Sequence, residues 1–392
     1  MRRGIALRIW IWSVQIAFAL ASRLPIRRRV VLATAHTAAI RGNLAAIRDE
    51  IERRGLDVPT LTLIHDPRPG LRGQVLAAMR GLYAAYLLAT SALFVVDSHY
   101  TPIYVIRRRP GTTIVQVWHA CGAIKKIGYS VLDKSFGADE GLTDLVRLHT
   151  NYSLCLAASQ SAVTQYMDAF RQPAELFVTD LGIPGTDVLI RPEGRERLVA
   201  AIRTLYAIPS GMRVILYAPT FRGDDMTKAR HPEDLDLGLL ARTLGADHVL
   251  LLRRHPAARR QALAVPGREG FIIDVSDYPE VNELMLVSDV LLTDYSSVAF
   301  EFALLERPMA FFAPDADAYE RERGFYFDYR ATMPGPVFET TDALAAYLRA
   351  GSFDLARVES FSKTWFEVAD GHASERFVER VVVPALERRR VV

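Results

Sequence analysis

Residues 289–306 read DVLLTDYSSVAFEFALLE, and the fold can be read outward from them. Positions 290–292 form a short apolar run of the kind that makes a buried strand. Asp294, Tyr295, Ser296 and Ser297 turn the chain, and from Val298 onward Phe300, Ala303 and Leu304 recur at helical spacing. The spacing predicts a strand, a polar turn and a helix. In an open α/β sheet such a turn lies at the carboxyl end of a strand, where ligands bind. Free N–H groups at the helix start and two hydroxyls would suit an anion. Equally, Asp294 and the serines would serve as helix caps.

The same alternation runs both ways from this stretch. Apolar runs at 30–33, 61–64, 93–96, 104–106, 114–117, 154–157 and 176–179 predict strands in the first half. Runs at 214–217, 249–252, 271–274 and 309–312 do so in the second. Helical patterns fall between them at 43–55, 70–90, 159–170, 235–244, 280–287 and 341–350. A last helix is predicted over 374–391, kinked at Pro384. Strands alternating with helices predict parallel, doubly wound sheets. A chain of 392 residues is long enough for two such domains, since single cores stop growing at about 250–300 residues. The polar stretch RPEGRER puts the boundary near 190–210, giving domains 30–200 and 201–392 after a leading segment, 1–29.

Net charge is only +3, so there is no broad basic field of the kind that marks a nucleic-acid binder. Cys121 and Cys155 form neither a CxxC pair nor a disulfide framework. Charge is nonetheless uneven. Residues 1–29 hold seven arginines and no acid, around an apolar core with Trp10, Trp12 and Phe18. Arg8, Gln15 and Ser22 stand seven apart and would share one helical face. A basic amphipathic helix lying on an anionic membrane surface fits this pattern. A helix packed on its own domain, a signal sequence ending near Ala19-Leu20-Ala21, and a marginal span are the other readings.

Three more strand ends carry polar groups suited to phosphate. His119, two residues after a strand, could act as a general base or be an ordinary core histidine. Lys125 and Lys126 follow it. Thr220 and Arg222 follow the 214–217 run, and Arg254 and His255 follow 249–252. Each could equally be a solvated loop, but the coincidence of four such ends favours an anionic ligand. No Walker A, GxGxxG, HExxH or zinc spacing is present, so no protein-bound metal and no dinucleotide or other cofactor is expected.

The segments DSHYTPIY, VQVWHACGAIKKIGYS, LYAPTFR, LRRHP, VSDYPEVNELMLVSDVLLTDYSSVAFEF and DADAYERERGFYFDY together resemble the CDP-glycerol glycerophosphotransferase family of teichoic acid synthesis, over residues 95–375. The resemblance implies a GT-B architecture, α/β, with two Rossmann-like domains and a cleft between them. It implies that His119 is the base on an acceptor hydroxyl and that His255 holds the donor's phosphates. Arg222, Ser296 and Ser297 would contact the diphosphate, Asp294 and Thr220 would belong to the same segments, and Glu301 would reach toward the ribose. Lys125, Lys126 and Arg254 would be further phosphate or acceptor contacts. His119 and His255 are expected to face one another across one crevice.

The reaction so implied moves glycerol 3-phosphate from CDP-glycerol to a polyprenyl-linked saccharide at the cytoplasmic face of a membrane, releasing CMP. The length resembles members that add one or a few units. A ribitol donor, a nucleotide-sugar glycosyltransferase or epimerase, and an inactive membrane-bound assembly factor are the alternatives. Ala120-Cys121-Gly122-Ala123 stands where many members carry Gly-Thr-Pro, which leaves the polyol and acceptor open.

Overall fold

Two parallel sheets of six strands form the frame of the chain. The computed structural model describes residues 2–35, 37–65, 70–132, 140–223, 231–232, 234–254 and 270–387. One unit is built from residues 1–119, 138–187 and 367–392, the other from 120–137 and 188–366.

In the first unit the strands are β1 (Arg27–Thr34), β2 (Thr60–Ile64), β3 (Ser91–Val96), β4 (Thr113–Gln116), β5 (Leu154–Leu156) and β6 (Phe177–Val178). They lie in the order β2-β1-β3-β4-β5-β6. Val30, Val31, Leu32 and Ala33 are fully buried, as are Leu93 to Val96. Such runs are apolar on both faces because helices cover both sides of a parallel sheet. Val30 pairs with Thr60 on one side and Leu93 on the other, which puts the reversal of strand order beside β1. The open ends of β1 and β3 there are the expected ligand position.

The second unit has β7 (Arg213–Tyr217), β8 (His248–Leu252), β9 (Ile272–Asp274), β10 (Val290–Thr293), β11 (Met309–Phe312) and β12 (Val337–Phe338). Their order is β12-β11-β10-β7-β8-β9, with the reversal between β7 and β10. Leu292 pairs with Tyr217, so Thr220 and Asp294 leave neighbouring strands at the same level. The stretch 289–306 thus forms the predicted strand, turn and helix, the helix running Val298–Ala303.

Some expectations are corrected. Residues 104–106 are not a strand: Thr101–Tyr104 is one helical turn with Pro102 at its start, where the fixed φ of proline favours helix. The C-terminal segment belongs with the first unit rather than with 201–392. Asp187 accepts the N–H groups of Ala373 and Ser374 at 2.9 and 2.8 Å, and Phe377, Val378 and Val382 are fully buried. The predicted kink is a π turn at Val378–Val382, just before Pro384, whose missing N–H breaks the regular ladder. The unit boundary falls at 187/188, and a second crossing follows His119 directly.

The leading helix α1 (Arg2–Ala21) packs on helix α3 (Gly70–Thr90); between them in the chain lies α2 (Gly42–Arg53). Val14, Phe18 and Ala21 are buried, and Trp10 lies against Gly81, where a Cβ would stand 2.8 Å from the indole. The expected polar stripe does not form. Gln15 donates to the Val105 carbonyl at 2.9 Å and Ser22 to the Phe18 carbonyl at 2.7 Å. Outward, α1 shows Ile5, Ile9, Trp12, Ile16 and Leu20. The helix is apolar on both its inner and its outer face, and 4–21 is long and apolar enough to cross a membrane.

Candidate active site

In the first unit the site is built at the turn after β4. Trp118 has φ +48°, a conformation uncommon for a bulky side chain, and two amides hold it there. Asn43, from α2, donates to the carbonyls of Val117 and Trp118 at 3.0 and 2.9 Å, while its own oxygen accepts the Gly185 N–H at 2.7 Å. Gln116 accepts the Trp118 N–H at 2.8 Å and donates to Ser98 O and Tyr152 OH, each at 3.0 Å. His119 is thereby presented at the strand end. Its Nδ1 lies 2.9 Å from the Asp97 carbonyl. A carbonyl only accepts, so Nδ1 carries the proton and Nε2 of the neutral ring carries the lone pair.

Beneath this turn lies a compact group of rings. His149 stacks on Phe170 at 3.9 Å, and Trp118 meets Phe170 at 5.0 Å. Burial pushes His149 well below its ordinary pKa. Burial also raises the Asp97 carboxyl to about 6.

In the second unit the polar ends of β7 and β10 interlock. The buried carboxylate of Asp294 accepts the N–H groups of Thr220 at 2.8 Å and Tyr295 at 2.6 Å through one oxygen, and Arg222 at 2.8 Å through the other. Arg222 also donates to the Thr220 carbonyl at 2.8 Å and, from two nitrogens, to Asp315 at 2.7 and 3.1 Å. Four of its five N–H donors are so engaged, and the rings of Tyr295 and Tyr319 lie 5.1 and 5.4 Å from the guanidinium carbon. Burial opposes its charge, but Asp294 and Asp315 outweigh that and hold its pKa above the ordinary value. Arg222 therefore fastens the two strand ends together, a role that leaves one N–H for the diphosphate contact expected of it.

The cap reading of the turn does not hold. Asp294 serves Thr220, Tyr295 and Arg222, and Ser297 makes no side-chain bond into the helix it precedes. The hydroxyl of Thr220 is buried with no partner among the described residues, and so is one oxygen of Glu301; its other oxygen accepts the Cys121 N–H at 3.3 Å. Burial raises Glu301 to about 7. Gly122 is required beside it, since a Cβ there would stand 2.7 Å from the Phe300 ring.

Lys125 bridges in antiparallel fashion to Phe325, and Lys126 donates its N–H to the Gly324 carbonyl at 3.0 Å. Burial and then Arg323 depress the Lys125 ammonium to about 8, against the pull of Asp294. Arg254 pairs with Asp274. His255 lies outside the described residues, as therefore does its expected opposition to His119. Among the described residues no group of three or more His, Cys, Asp or Glu side chains gathers where an ion could sit. Asp315, Tyr319 and Arg323 were not singled out from sequence, although DADAYERERGFYFDY had drawn attention to their segment, and Tyr295 was read only as part of the turn after the 290–292 run.

The family model described as CDP-Glycerol:Poly(glycerophosphate) glycerophosphotransferase matches residues 16–383. A teichoic acid ribitol-phosphate primase of Bacillus spizizenii is 33% identical over 363 residues, 92% of each chain. A teichoic acid poly(ribitol-phosphate) polymerase of the same organism is 37% identical over 304 residues, 77% of this chain but 48% of that one. Among solved structures, the wall teichoic acid polymerase TagF superposes with a TM-score of 0.80 at 24% identity, covering 99% of this chain and 96% of that one; the shared fold is GT-B-like. The chain belongs to the CDP-glycerol:poly(glycerophosphate) glycerophosphotransferase family.

Proposed function

We propose that this protein transfers a polyol phosphate from a CDP-activated polyol to a hydroxyl on a polyprenyl-linked saccharide, releasing CMP, as a primase that adds one or a few units in teichoic acid synthesis. The observation that carries the reading is the His119 hydrogen bond. With Nδ1–H committed to the Asp97 carbonyl, Nε2 has the lone pair to take the acceptor's proton as its oxygen attacks phosphorus. Phosphoryl transfer otherwise depends on positioning and charge. Lys125, the Thr220 hydroxyl, Ser296 and Ser297 would meet the donor's phosphates, with Arg222 and Asp294 holding them in register, and Glu301 would meet the ribose. Lys126, Arg254 and His255 remain further candidates for phosphate contacts.

CDP-glycerol was the donor expected from sequence. The ribitol-phosphate primase that matches 92% of each chain favours CDP-ribitol, so both are to be assayed together. The outward apolar rows of α1 and α3 support residence on the cytoplasmic leaflet, where a lipid-linked acceptor is presented. The deciding experiment is His119→Ala with each donor. CMP release should fall by at least 10²-fold while donor binding stays within threefold. Near-normal release would remove His119 from the base role.

A further inference from the structure

In the first unit His119 borders a cavity of about 750 Å³. Its lining joins Trp10 of α1 and Gln74, Ala77 and Gly81 of α3 to Ser98, His99 and His119 at the ends of β3 and β4, so that it is mostly hydrocarbon with a few polar groups. The Trp10–Gly81 wall closes only because position 81 is glycine, the indole of Trp10 occupying the space a side chain would take. The outer faces of the same helices are bare. Ile9, Trp12 and Ile16 are 60, 69 and 60% exposed, and Met79 of α3 is 61% exposed.

His99 is the residue of interest among the polar groups. Its ring touches Tyr104 edge-on at 4.9 Å and His149 at 5.8 Å, yet its nitrogens make no hydrogen bond among the described residues. Burial holds its pKa at about 4, so at neutral pH it offers one N–H and one lone pair without charge. Such a group suits hydroxyls rather than phosphates. A freely soluble polyol would have no use for the indole wall. A purely apolar ligand would leave the His99 nitrogens without a partner, at the cost of an unsatisfied polar group. The combination fits an amphiphile.

Resting on the transfer reaction proposed above, we propose that this cavity is the acceptor subsite for a lipid-linked saccharide. The lipid-proximal part lies along the Trp10–Gly81 wall, and His99 is a positioning residue that turns the acceptor hydroxyl toward His119. Two features make this specific. The ligand must carry both hydroxyls and hydrocarbon, and loss of His99 must act on acceptor use while sparing donor binding.

The test uses the full chain with CDP-ribitol or CDP-glycerol and two acceptors, a farnesyl-diphosphate-linked disaccharide and the same disaccharide without lipid. His99→Ala should raise KM for the lipid-linked acceptor at least tenfold and leave donor Kd within twofold, with His99→Asn recovering part of the loss. Gly81→Val, which fills the apolar wall, should raise KM for the lipid-linked acceptor at least fivefold more than for the lipid-free one. An acceptor KM within twofold of the parent in His99→Ala overturns the proposal, as does an equal effect of Gly81→Val on both acceptors. A parent chain that consumes neither CDP-polyol refutes the transfer reading instead. The subsite is then judged by tryptophan quenching with the lipid-linked acceptor alone, where an unchanged Kd in His99→Ala overturns it.

Discussion

Replacing Arg222 with leucine tests whether this residue fastens the second unit or simply meets a phosphate. In the structure its guanidinium is the counter-charge for Asp294, 2% exposed at the side chain, and for Asp315, 31% exposed. Leucine preserves most of the stacking against Tyr295 and Tyr319 but leaves both carboxylates without their cation. Removing one partner of a buried ion pair costs about 3–5 kcal/mol; Asp315, being closer to solvent, places the expected loss toward the lower end. For a unit of this size each kcal/mol moves Tm by roughly 2–4 °C, so Arg222→Leu should lower the melting point by about 10 °C. Differential scanning calorimetry without nucleotide reads this directly. Adding Asp315→Asn removes one of the stranded charges and should restore part of the loss, because paired replacements are far less costly than single ones. A single variant that melts within 2 °C of the parent while losing donor affinity would refute the fastening role and make Arg222 a ligand contact alone.

Glu301→Gln should stabilise the protein at alkaline pH. The folded carboxyl, raised by burial from its ordinary 4.5 to about 7, keeps its proton where the unfolded chain loses it, so parent stability falls as pH rises from about 4.5 through 7. The gain at pH 8 should approach about 3 kcal/mol and vanish near pH 4, and parallel Tm–pH curves for the two proteins would discount the buried acid. On the membrane side, Ile9→Ser, Trp12→Ser and Ile16→Ser together remove three exposed apolar groups worth about 1.5–3 kcal/mol each when buried. Sedimentation with anionic vesicles should weaken more than hundredfold, and unaltered sedimentation would place the contact elsewhere. This triple variant is cleaner than deleting residues 1–22, which would also strip Trp10 from Gly81.

The parts legible in the sequence were those set by local pattern. The runs at 30–33 and 290–292 are apolar on both faces, so with the alternating helices they gave parallel strands, and the polar turn after 290–292 marked a candidate strand end. His119 was found because it follows a strand. Its orientation was not, because that depends on Asn43, 74 and 75 positions from the carbonyls it holds. Arg222 read as a free cation for the same reason. Its partner Asp315 lies 93 positions away, and no periodicity announces a pairing at that distance. The α1 surface misled in a different way. Arg8, Gln15 and Ser22 share a face, but helical spacing does not say which face packs, and Gln15 found a backbone carbonyl on the protein. The terminal segment was assigned by chain order, whereas Asp187 and a buried Phe377 draw it back to the first unit.

The two units treat charge in opposite ways at their strand ends. Around Asp294 and Asp315 the second unit gathers Lys125, Arg222 and Arg323, one positive charge more than the carboxylates cancel. Lys125, depressed to about 8 by burial and by Arg323, is the member whose charge an incoming diphosphate would secure, since a nearby anion favours the ammonium form. The first unit does the reverse. His99 and His149 are kept neutral by burial, and the proton of His119 is fixed on Nδ1 by a carbonyl rather than by a carboxylate. The carbonyl fixes the ring tautomer without the added preference for the imidazolium that a carboxylate would bring. The two strand ends thus differ in how they hold charge, with a slight positive excess around Asp294 and with rings kept neutral at His99 and His149.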